Sequence, residues 1–375
     1  MKDEGGRLVT NNISHIGVLT GGGDCPGLNA VIRAVTKCAN LEYGLEVVGF
    51  MNGFRGLVEN DYMPLDLKTV SGISHTGGTI LGCSNRDNPF AYYSMRQGQI
   101  TQSDESDRAL HNLEHLALDG LIVIGGDGSL NIAHRFDKLG VKVVGVPKTI
   151  DNDLSATDVT FGFNTAVNTA SEALDKLHTT AESHHRVMIL EVMGRYAGWI
   201  AMHAGISGSA DVILIPEIPY QIDSILAKIS ERYRKGKKFS IIVVAEGAFP
   251  EGGEMVVQNY VPTSHDPIRL GGVGQKVAEE ISAKLKNIEI RVTVLGHLQR
   301  GGAPVPFDRV LATRYGVASV KAFMEGQYGR MVSLRGTEIT TVPLEDAIKE
   351  IRKIDPNSDL VHAARAVGIS FGDFK

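Results

Sequence analysis

The chain has 375 residues, of which 43% are hydrophobic and 22% charged, and its formal net charge is −5. These values are typical of a soluble globular protein with a large core, and they argue against a surface that binds nucleic acid or an anionic membrane. The three cysteines, Cys25, Cys38 and Cys83, are odd in number and lack CxxC spacing. We therefore predict neither a disulfide framework nor a zinc site.

The N-terminal sequence contains no apolar run of the kind that a secretory signal requires. No apolar run anywhere in the chain approaches 18 residues, the length needed to span a bilayer as a helix. We therefore expect a cytoplasmic protein that has neither a membrane nor a nucleic acid as its partner.

The first half alternates short apolar runs with amphipathic stretches. The pattern predicts strands over 16–19, 45–50, 121–124 and 141–146, and helices over about 28–39, 104–117 and 129–139. The strand runs are rich in Ile and Val and lack polar alternation, which is typical of a parallel sheet covered on both faces. Glycine-rich loops follow the first two strands, TGGGDCPGLN directly and GISHTGGTILGCSNR farther along, over 72–86.

Residues 121–153 form the clearest unit of the sequence, a strand, a helix and a second strand. Such a unit has parallel strands and a right-handed crossover. The two strands therefore deliver their following loops, GGDGS at 125–129 and PKTIDND at 147–153, to the same edge of the sheet. This edge is where open α/β sheets bind ligands.

The GGDGS loop has the chemistry of a phosphate site. Gly125, Gly126 and Gly128 allow backbone N–H groups to approach a polyanion at the N-terminus of the following helix. Asp127 would repel that polyanion unless a cation lay between them, and Mg²⁺ binds carboxylate and phosphate oxygens together. We therefore predict Mg²⁺ as the cofactor and Asp127 as its ligand.

The PKTIDND loop has the chemistry of proton transfer. It carries Asp151 and Asp153 beside Lys148 and Thr149. A carboxylate that reaches a substrate hydroxyl can act as a general base, an effect of about 10²–10⁴ in rate. Either loop alone could be a helix-capping turn or a polar loop, but their arrival at adjacent strand ends favours a catalytic site.

The second half continues the alternation. Strands are predicted over 187–192, 212–215, 240–245 and 289–295, and helices over 166–180, 199–206, 222–233, 273–285, about 308–324 and a final stretch near 345–352. The class is therefore α/β. No linker separates the halves, so we expect two similar α/β domains with mainly parallel sheets and a chain that crosses between them more than once.

Basic residues cluster near the strand boundaries of the second half. They are Arg186, Arg195, Arg291, His297 and Arg300. At a common sheet edge they would suit an anionic, phosphorylated substrate, because guanidinium matches phosphate bidentately. Each of these residues alone is better explained as part of a surface ion pair, but their number favours a binding site.

Seven motifs, in this order, resemble those of the 6-phosphofructokinase family, and the resemblance runs from Ile16 to about Tyr315. They are VLTGGGDCPGLNA, GGT-LG, IGGDGS, PKTIDND, EVMGRYAG, AEG and RVTVLGHLQRGG. The resemblance implies phosphoryl transfer to the 1-hydroxyl of fructose 6-phosphate on two three-layer α/β domains. It implies a phosphoryl-donor domain of residues 14–162 plus about 300–345, and a sugar-phosphate domain of residues 163–299 plus about 346–375.

The resemblance also implies roles for individual residues. Asp151 takes the proton of the sugar hydroxyl and Arg195 contacts the transferring phosphoryl group, so these two are the catalytic residues. The donor would be held by Gly22, Gly23, Arg86, Gly126, Asp127, Gly128, Ser129 and Lys148. The sugar phosphate would be held by Thr149, Asp153, Met193, Gly194, Glu246, His297 and Arg300. Residues matching Arg186 and Arg291 reach into a neighbouring subunit's site in the family, which implies a homo-oligomer with shared active sites.

The identity of the donor depends on two positions. Gly128 leaves a path for the α-phosphate and adenosine of ATP, whereas Lys148 is a residue that accompanies the pyrophosphate-dependent branch of the family. Because lysine can hold a terminal phosphate of either donor, we predict ATP, with pyrophosphate as the alternative.

Two other functions would share features of this sequence. An NAD or lipid kinase also uses a GGDG turn, but PKTIDND, MGR and HLQRGG argue against it. A catalytically inactive regulatory subunit would have lost Asp127, Asp151 or Arg195, and all three are present.

Overall fold

The computed structural model describes residues 13–96, 98–264 and 266–374. Most of the N-terminal segment on which the signal-peptide prediction rests lies outside these ranges. Within them, no helix combines the length and the apolar character that crossing a membrane would demand.

Strands and helices alternate along much of the described ranges, and the alternation is interrupted by hairpins. The strands are β1 (His15–Thr20), β2 (Glu46–Phe50), β3 (Tyr62–Leu65), β4 (Tyr92–Arg96), β5 (Gln99–Ser103), β6 (Leu121–Gly125), β7 (Val143–Thr149), β8 (Phe161–Gly162), β9 (Val187–Val192), β10 (Val212–Leu214), β11 (Ser240–Ala245), β12 (Val257–Tyr260), β13 (Ile268–Leu270), β14 (Ile290–Val294), β15 (Arg330–Arg335) and β16 (Glu338–Pro343). The helices are α1 (Leu28–Tyr43), α2 (Phe54–Glu59), α3 (Ser106–His115), α4 (Asp127–Lys138), α5 (Phe163–His184), α6 (Trp199–Ser207), α7 (Ile222–Arg234), α8 (Val273–Lys284), α9 (Pro306–Met324), α10 (Leu344–Ile348) and α11 (Asp359–Ala366).

Two mainly parallel sheets organise the molecule. The first has the strand order β16-β15-β7-β6-β1-β2-β3, and β3 and β16 at its edges run antiparallel to their neighbours. The second has the order β10-β11-β9-β14 and is parallel throughout. The central strands β6, β7, β9 and β11 are buried along their whole length, because helices cover both faces. The predicted α/β fold with mainly parallel sheets is confirmed.

The chain passes between the two sheets at three places. Helix α5 leads from the first sheet to the second, the segment after β14 returns to α9, and the residues after α10 lead back to Ser370, which pairs with β10. Helix α9 packs along α1, where a Cβ on Gly316 would come within 2.7 Å of the Cβ of Ala34. The domain boundaries given above remain a prediction.

Several elements differ from the sequence prediction. The hairpins β4–β5, β12–β13 and β15–β16, the edge strand β3 and the helices α2 and α11 were not predicted. The final helix predicted near 345–352 is wrong in extent, because α10 ends at Ile348. Residues 351–354, here called the C-terminal strap, are not helical, and Ile351 forms an isolated β-bridge with Leu154.

Candidate active site

A cleft of about 1050 Å³ lies where the carboxyl ends of strands from both sheets meet. Strands β1, β6 and β7 deliver residues from one side, and β9, β11 and β14 from the other. Sixteen of the residues predicted from the sequence line it. They are Gly22, Gly23, Arg86, Gly126, Asp127, Gly128, Ser129, Lys148, Thr149, Asp151, Asp153, Met193, Arg195, Glu246, His297 and Arg300. Gly194 lies directly behind the wall and donates its N–H to Glu246 Oε1 at 3.3 Å.

One wall of the cleft is the N-terminus of α4. The helix begins at Asp127, directly after β6 and Gly126. Gly125 lies so close to Ser129 that a Cβ on it would come within 2.3 Å of the Ser129 Cβ, so glycine is required there. Asn131 donates its side-chain N–H to Asp127 Oδ1 at 3.1 Å and fixes that carboxylate at the helix start. The N–H groups of the first helical turn point out of the helix end and make this wall suitable for an anion.

A buried lysine connects this wall with the first glycine-rich loop. Lys148, at 4% exposure, donates from Nζ to the carbonyl oxygen of Gly23 at 2.6 Å. Burial lowers the pKa of the Lys148 ammonium. From the opposite side, Arg300 Nη1 donates to the carbonyl oxygen of Asp24 at 3.1 Å. The loop after β1 is therefore held between two cations.

The carboxylate of Asp151 is buried at 5% exposure and has one oxygen held and one without a partner. Thr149 Oγ1 donates to Asp151 Oδ2 at 3.1 Å and also accepts the Asp151 backbone N–H at 3.1 Å. Among the described residues, Asp151 Oδ1 has no hydrogen-bond partner. A buried acceptor left open in a cleft is ready to receive the proton of a bound hydroxyl group.

Two further carboxyl groups surround Asp151. Burial and the neighbouring charge of Asp151 raise the pKa of Asp153 to about 7. Burial, again with a contribution from Asp151, raises the pKa of Glu246 to about 7, although the backbone N–H of Arg195 donates to Glu246 Oε1 at 3.0 Å. Asp153 and Glu246 therefore retain their protons up to near neutral pH.

One cleft wall, the hairpin β12–β13, was not predicted from the sequence. Its Asp266 accepts a hydrogen bond from Arg195 Nη1 at 2.8 Å and another from the Tyr196 hydroxyl at 3.1 Å. Its Arg269 also lines the cleft and donates to Ser264 Oγ at 2.8 Å. The unusual length of the connection between β11 and α8 was the one available indication of a functional loop.

Comparison with known proteins identifies the family of the chain. The family model described as Phosphofructokinase matches residues 15–323. The chain belongs to the phosphofructokinase family.

Related sequences match over nearly their whole length. The chain is 57% identical over 362 residues to an ATP-dependent 6-phosphofructokinase 2 of Clostridium perfringens, covering 96% of this chain and 99% of the relative. It is 50% identical over 358 residues to a pyrophosphate–fructose 6-phosphate 1-phosphotransferase of Streptomyces coelicolor, covering 95% and 99%. Relatives at 50–57% identity are therefore named either for ATP or for pyrophosphate as the donor.

Solved structures resemble the fold. The phosphofructokinase of Saccharomyces cerevisiae is 31% identical, with a TM-score of 0.75, and the match covers 90% of this chain. This chain spans 45% of that yeast chain. A pyrophosphate-dependent phosphofructokinase from Nitrosospira multiformis is 22% identical, with a TM-score of 0.79 over 96% of this chain, and it shows the shared fold.

Two arginines of this phosphofructokinase lie away from its cleft. Arg186 precedes β9 and Arg291 is the second residue of β14, so both lie at amino ends of strands. Glu289 binds both, accepting from Arg186 Nε at 2.6 Å and from Arg291 Nη2. The expectation that all the basic residues share one sheet edge is therefore wrong for these two, because the cleft lies at the carboxyl ends. Their predicted role in a neighbouring subunit's site remains a prediction.

The residues of the cleft fit a Mg²⁺ ion that arrives with the phosphate donor. Among the described residues, no three of His, Cys, Asp and Glu come together as a preformed metal-binding group. Mg²⁺ typically uses one or two carboxylates together with substrate phosphates and water. The Asp127 carboxylate beside the glycine-lined helix N-terminus supplies one such ligand in the required place.

The raised pKa of Asp153 predicts a pH-dependent loss of stability. In the unfolded chain the pKa of an aspartate is about 3.9. In the folded phosphofructokinase the pKa is about 7. The folded state therefore binds more protons between these values, and its free energy of unfolding falls as pH rises from about 4 to 7.

We expect Asp153→Asn to make this decrease shallower in urea unfolding measured from pH 5 to 8. Asp223→Asn, at an exposed carboxylate paired with Lys284, is the control, and equal slopes in the wild type and Asp153→Asn would contradict the assignment.

Proposed function

We propose that this chain transfers the terminal phosphoryl group of ATP to the 1-hydroxyl of fructose 6-phosphate, giving fructose 1,6-bisphosphate and ADP. The observation that carries the proposal is the open oxygen of Asp151, buried in the same cleft as the glycine-lined N-terminus of α4. A proton acceptor therefore shares one cleft with an anion-binding helix end, which is the pairing that phosphoryl transfer to a hydroxyl group needs.

The donor phosphates would bind at the start of α4. Backbone N–H groups of the first turn and Lys148 would contact their oxygens, and Arg86 lines the same part of the cleft. Asp127 would hold Mg²⁺ together with the donor, and the bound ion would neutralise phosphate charge. Because the transition state of phosphoryl transfer is loose, the protein mainly positions the groups and stabilises their charge.

The sugar would lie against the second sheet. Thr149 holds one oxygen of Asp151, so the other oxygen points to the hydroxyl and accepts its proton as the new P–O bond forms. Arg195 would neutralise the transferring phosphoryl group, which requires its guanidinium to exchange the Asp266 carboxylate for phosphate. His297 and Arg300 would bind the 6-phosphate, and Glu246 would hold a sugar hydroxyl.

The proposed function also includes an oligomeric state and a cellular location. We infer a homo-oligomer in which Arg186 and Arg291 contribute to a neighbouring subunit's site, since both are arginines with exposed surface at the amino ends of their strands. We infer a cytoplasmic enzyme that acts in glycolysis, because its substrates are phosphorylated metabolites.

A second candidate function is the same transfer from pyrophosphate. The observation that favours it is Lys148, whose buried ammonium lies beside the first glycine-rich loop and could hold the end of a short donor. Relatives named for both donors support keeping this alternative.

Initial rates with fructose 6-phosphate and Mg²⁺ separate the two functions. We expect turnover with ATP and a much lower rate with pyrophosphate at the same concentration. Turnover with pyrophosphate alone would overturn the choice of ATP. Absence of turnover with either donor would overturn the proposed function, and omission of Mg²⁺ is the control for the cofactor.

A further inference from the structure

The C-terminal strap, residues 351–354, lies between two loops that belong to different sheets. One loop follows β7 and carries the carboxylates of Asp151 and Asp153. The other follows β9, presents Arg195 and leads into α6. The strap lies outside residues 15–323, the part that the family model matches, and none of the sequence motifs assigned it a role.

The strap is bonded to the carboxylate loop through its backbone and one side chain. Ile351 pairs with Leu154, which is 1% exposed. The backbone N–H of Arg352 donates to the carbonyl oxygen of Asp153 at 2.7 Å. The Arg352 guanidinium donates from Nη1 to the carbonyl oxygen of Asp158 at 2.6 Å. These bonds fix the loop at its beginning and its end.

The same residues of the strap are bonded to the start of α6. The Arg352 carbonyl oxygen accepts the indole N–H of Trp199 at 2.9 Å, and the guanidinium lies 4.4 Å from the centre of that ring. Ile354 donates its N–H to Glu217 Oε1 at 3.0 Å. Both oxygens of Glu217 accept the N–H of Gly198, at 3.0 and 3.1 Å. Arg352 therefore contacts both loops at once, through a stacked cation and through hydrogen bonds.

We propose that Arg352 is a positioning residue for phosphoryl transfer, which holds the carboxylate loop of the first sheet at a fixed distance from the Arg195 turn of the second. This inference rests on the proposed function for its catalytic consequence. Reacting atoms must lie about 3–3.5 Å apart, and a displacement of about 1 Å can cost about 10² in rate. A residue that contacts both loops sets this distance without touching the substrate.

The test compares Arg352→Ala with a matched control, Arg365→Ala. Arg365 also lies in the C-terminal region, stacks on an aromatic ring at 4.9 Å and binds a carboxylate, that of Asp373, at 2.6 Å. Amide hydrogen exchange is measured for 151–158 and 194–199, together with kcat and the KM for fructose 6-phosphate. We expect Arg352→Ala to accelerate exchange in both segments and to lower kcat about 10- to 100-fold, with a smaller change in KM. We expect Arg365→Ala to leave both readouts near the wild-type values.

A second variant and a second readout keep the test decisive. Trp199→Phe retains a ring under the guanidinium but removes the indole N–H. We therefore expect a smaller acceleration of hydrogen exchange in the same two segments. If Arg352→Ala does not fold, the result for Trp199→Phe decides the test. Wild-type exchange in both segments for the folded variant, or an unchanged kcat, would overturn the proposal. Exchange requires no turnover, so a wild-type protein inactive on fructose 6-phosphate would contradict the proposed function while leaving the loop coupling measurable.

Discussion

Replacing Asp151 with Asn lowers kcat by about 10²–10⁴-fold and leaves the binding of fructose 6-phosphate nearly unchanged. The carboxamide has almost the shape of the carboxylate and can still accept the hydrogen bond from Thr149, but it cannot take up the proton of the sugar hydroxyl. The measurement is kcat at saturating ATP, with the dissociation constant of the sugar phosphate determined separately by calorimetry.

The thermal unfolding midpoint is the control for this substitution. If the Asp151→Asn protein is folded and its dissociation constant for fructose 6-phosphate is unchanged, the loss of turnover is due to the chemical step and not to misfolding. Turnover at the wild-type rate would remove Asp151 as the general base. A parallel loss of sugar binding and turnover would instead assign the residue to substrate binding.

The second large effect concerns the donor. Replacing Gly128 with Asp places a second carboxylate beside Asp127 in the first turn of α4. Like charges about 4 Å apart repel by about 4 kcal/mol at an effective dielectric near 20, which corresponds to about three orders of magnitude. We expect kcat/KM for ATP to fall by up to about 10³, because the α-phosphate must pass this position. We expect the loss with pyrophosphate to be far smaller.

Gly128→Ala separates charge from bulk, because alanine adds a methyl group without charge and is well tolerated in a helix. A modest loss with ATP in this variant and a large one in Gly128→Asp would identify repulsion as the cause. Equal losses with both donors in Gly128→Asp would show that position 128 does not select the donor.

The strand-end motifs were predictable from the sequence for a physical reason. Asp127 and Asp151 directly follow buried apolar strands, and parallel strands carry their following loops to one edge. The cleft confirms that both reach the same place. The direction of the strand also explains the error at Arg186. This arginine precedes β9, so it lies at the amino end of the strand, whereas the cleft lies at the carboxyl end. The prediction considered only that Arg186 is basic and lies near a strand, and not at which end of the strand it lies.

Other parts of the site depend on contacts between distant segments. Asp266 approaches Arg195 from a hairpin whose strands are short and largely exposed, so no hydrophobic periodicity marks it. Arg352 lies beside Asp153 only because the chain returns to the first sheet after α9. Neither contact leaves a pattern in the local sequence, since their partners are 71 and 199 positions away.

The return of the chain to the first sheet has a consequence for synthesis on the ribosome. Strand β7 ends at Thr149, but its neighbour β15 begins only at Arg330 and pairs with it at Val144 and Gly145. A nascent chain that stops short of β15 leaves that edge of β7 without this partner, and unpaired edges of parallel strands promote aggregation. The strand that leads into the Asp151 loop therefore gains its last neighbour only after nearly the whole polypeptide has been translated.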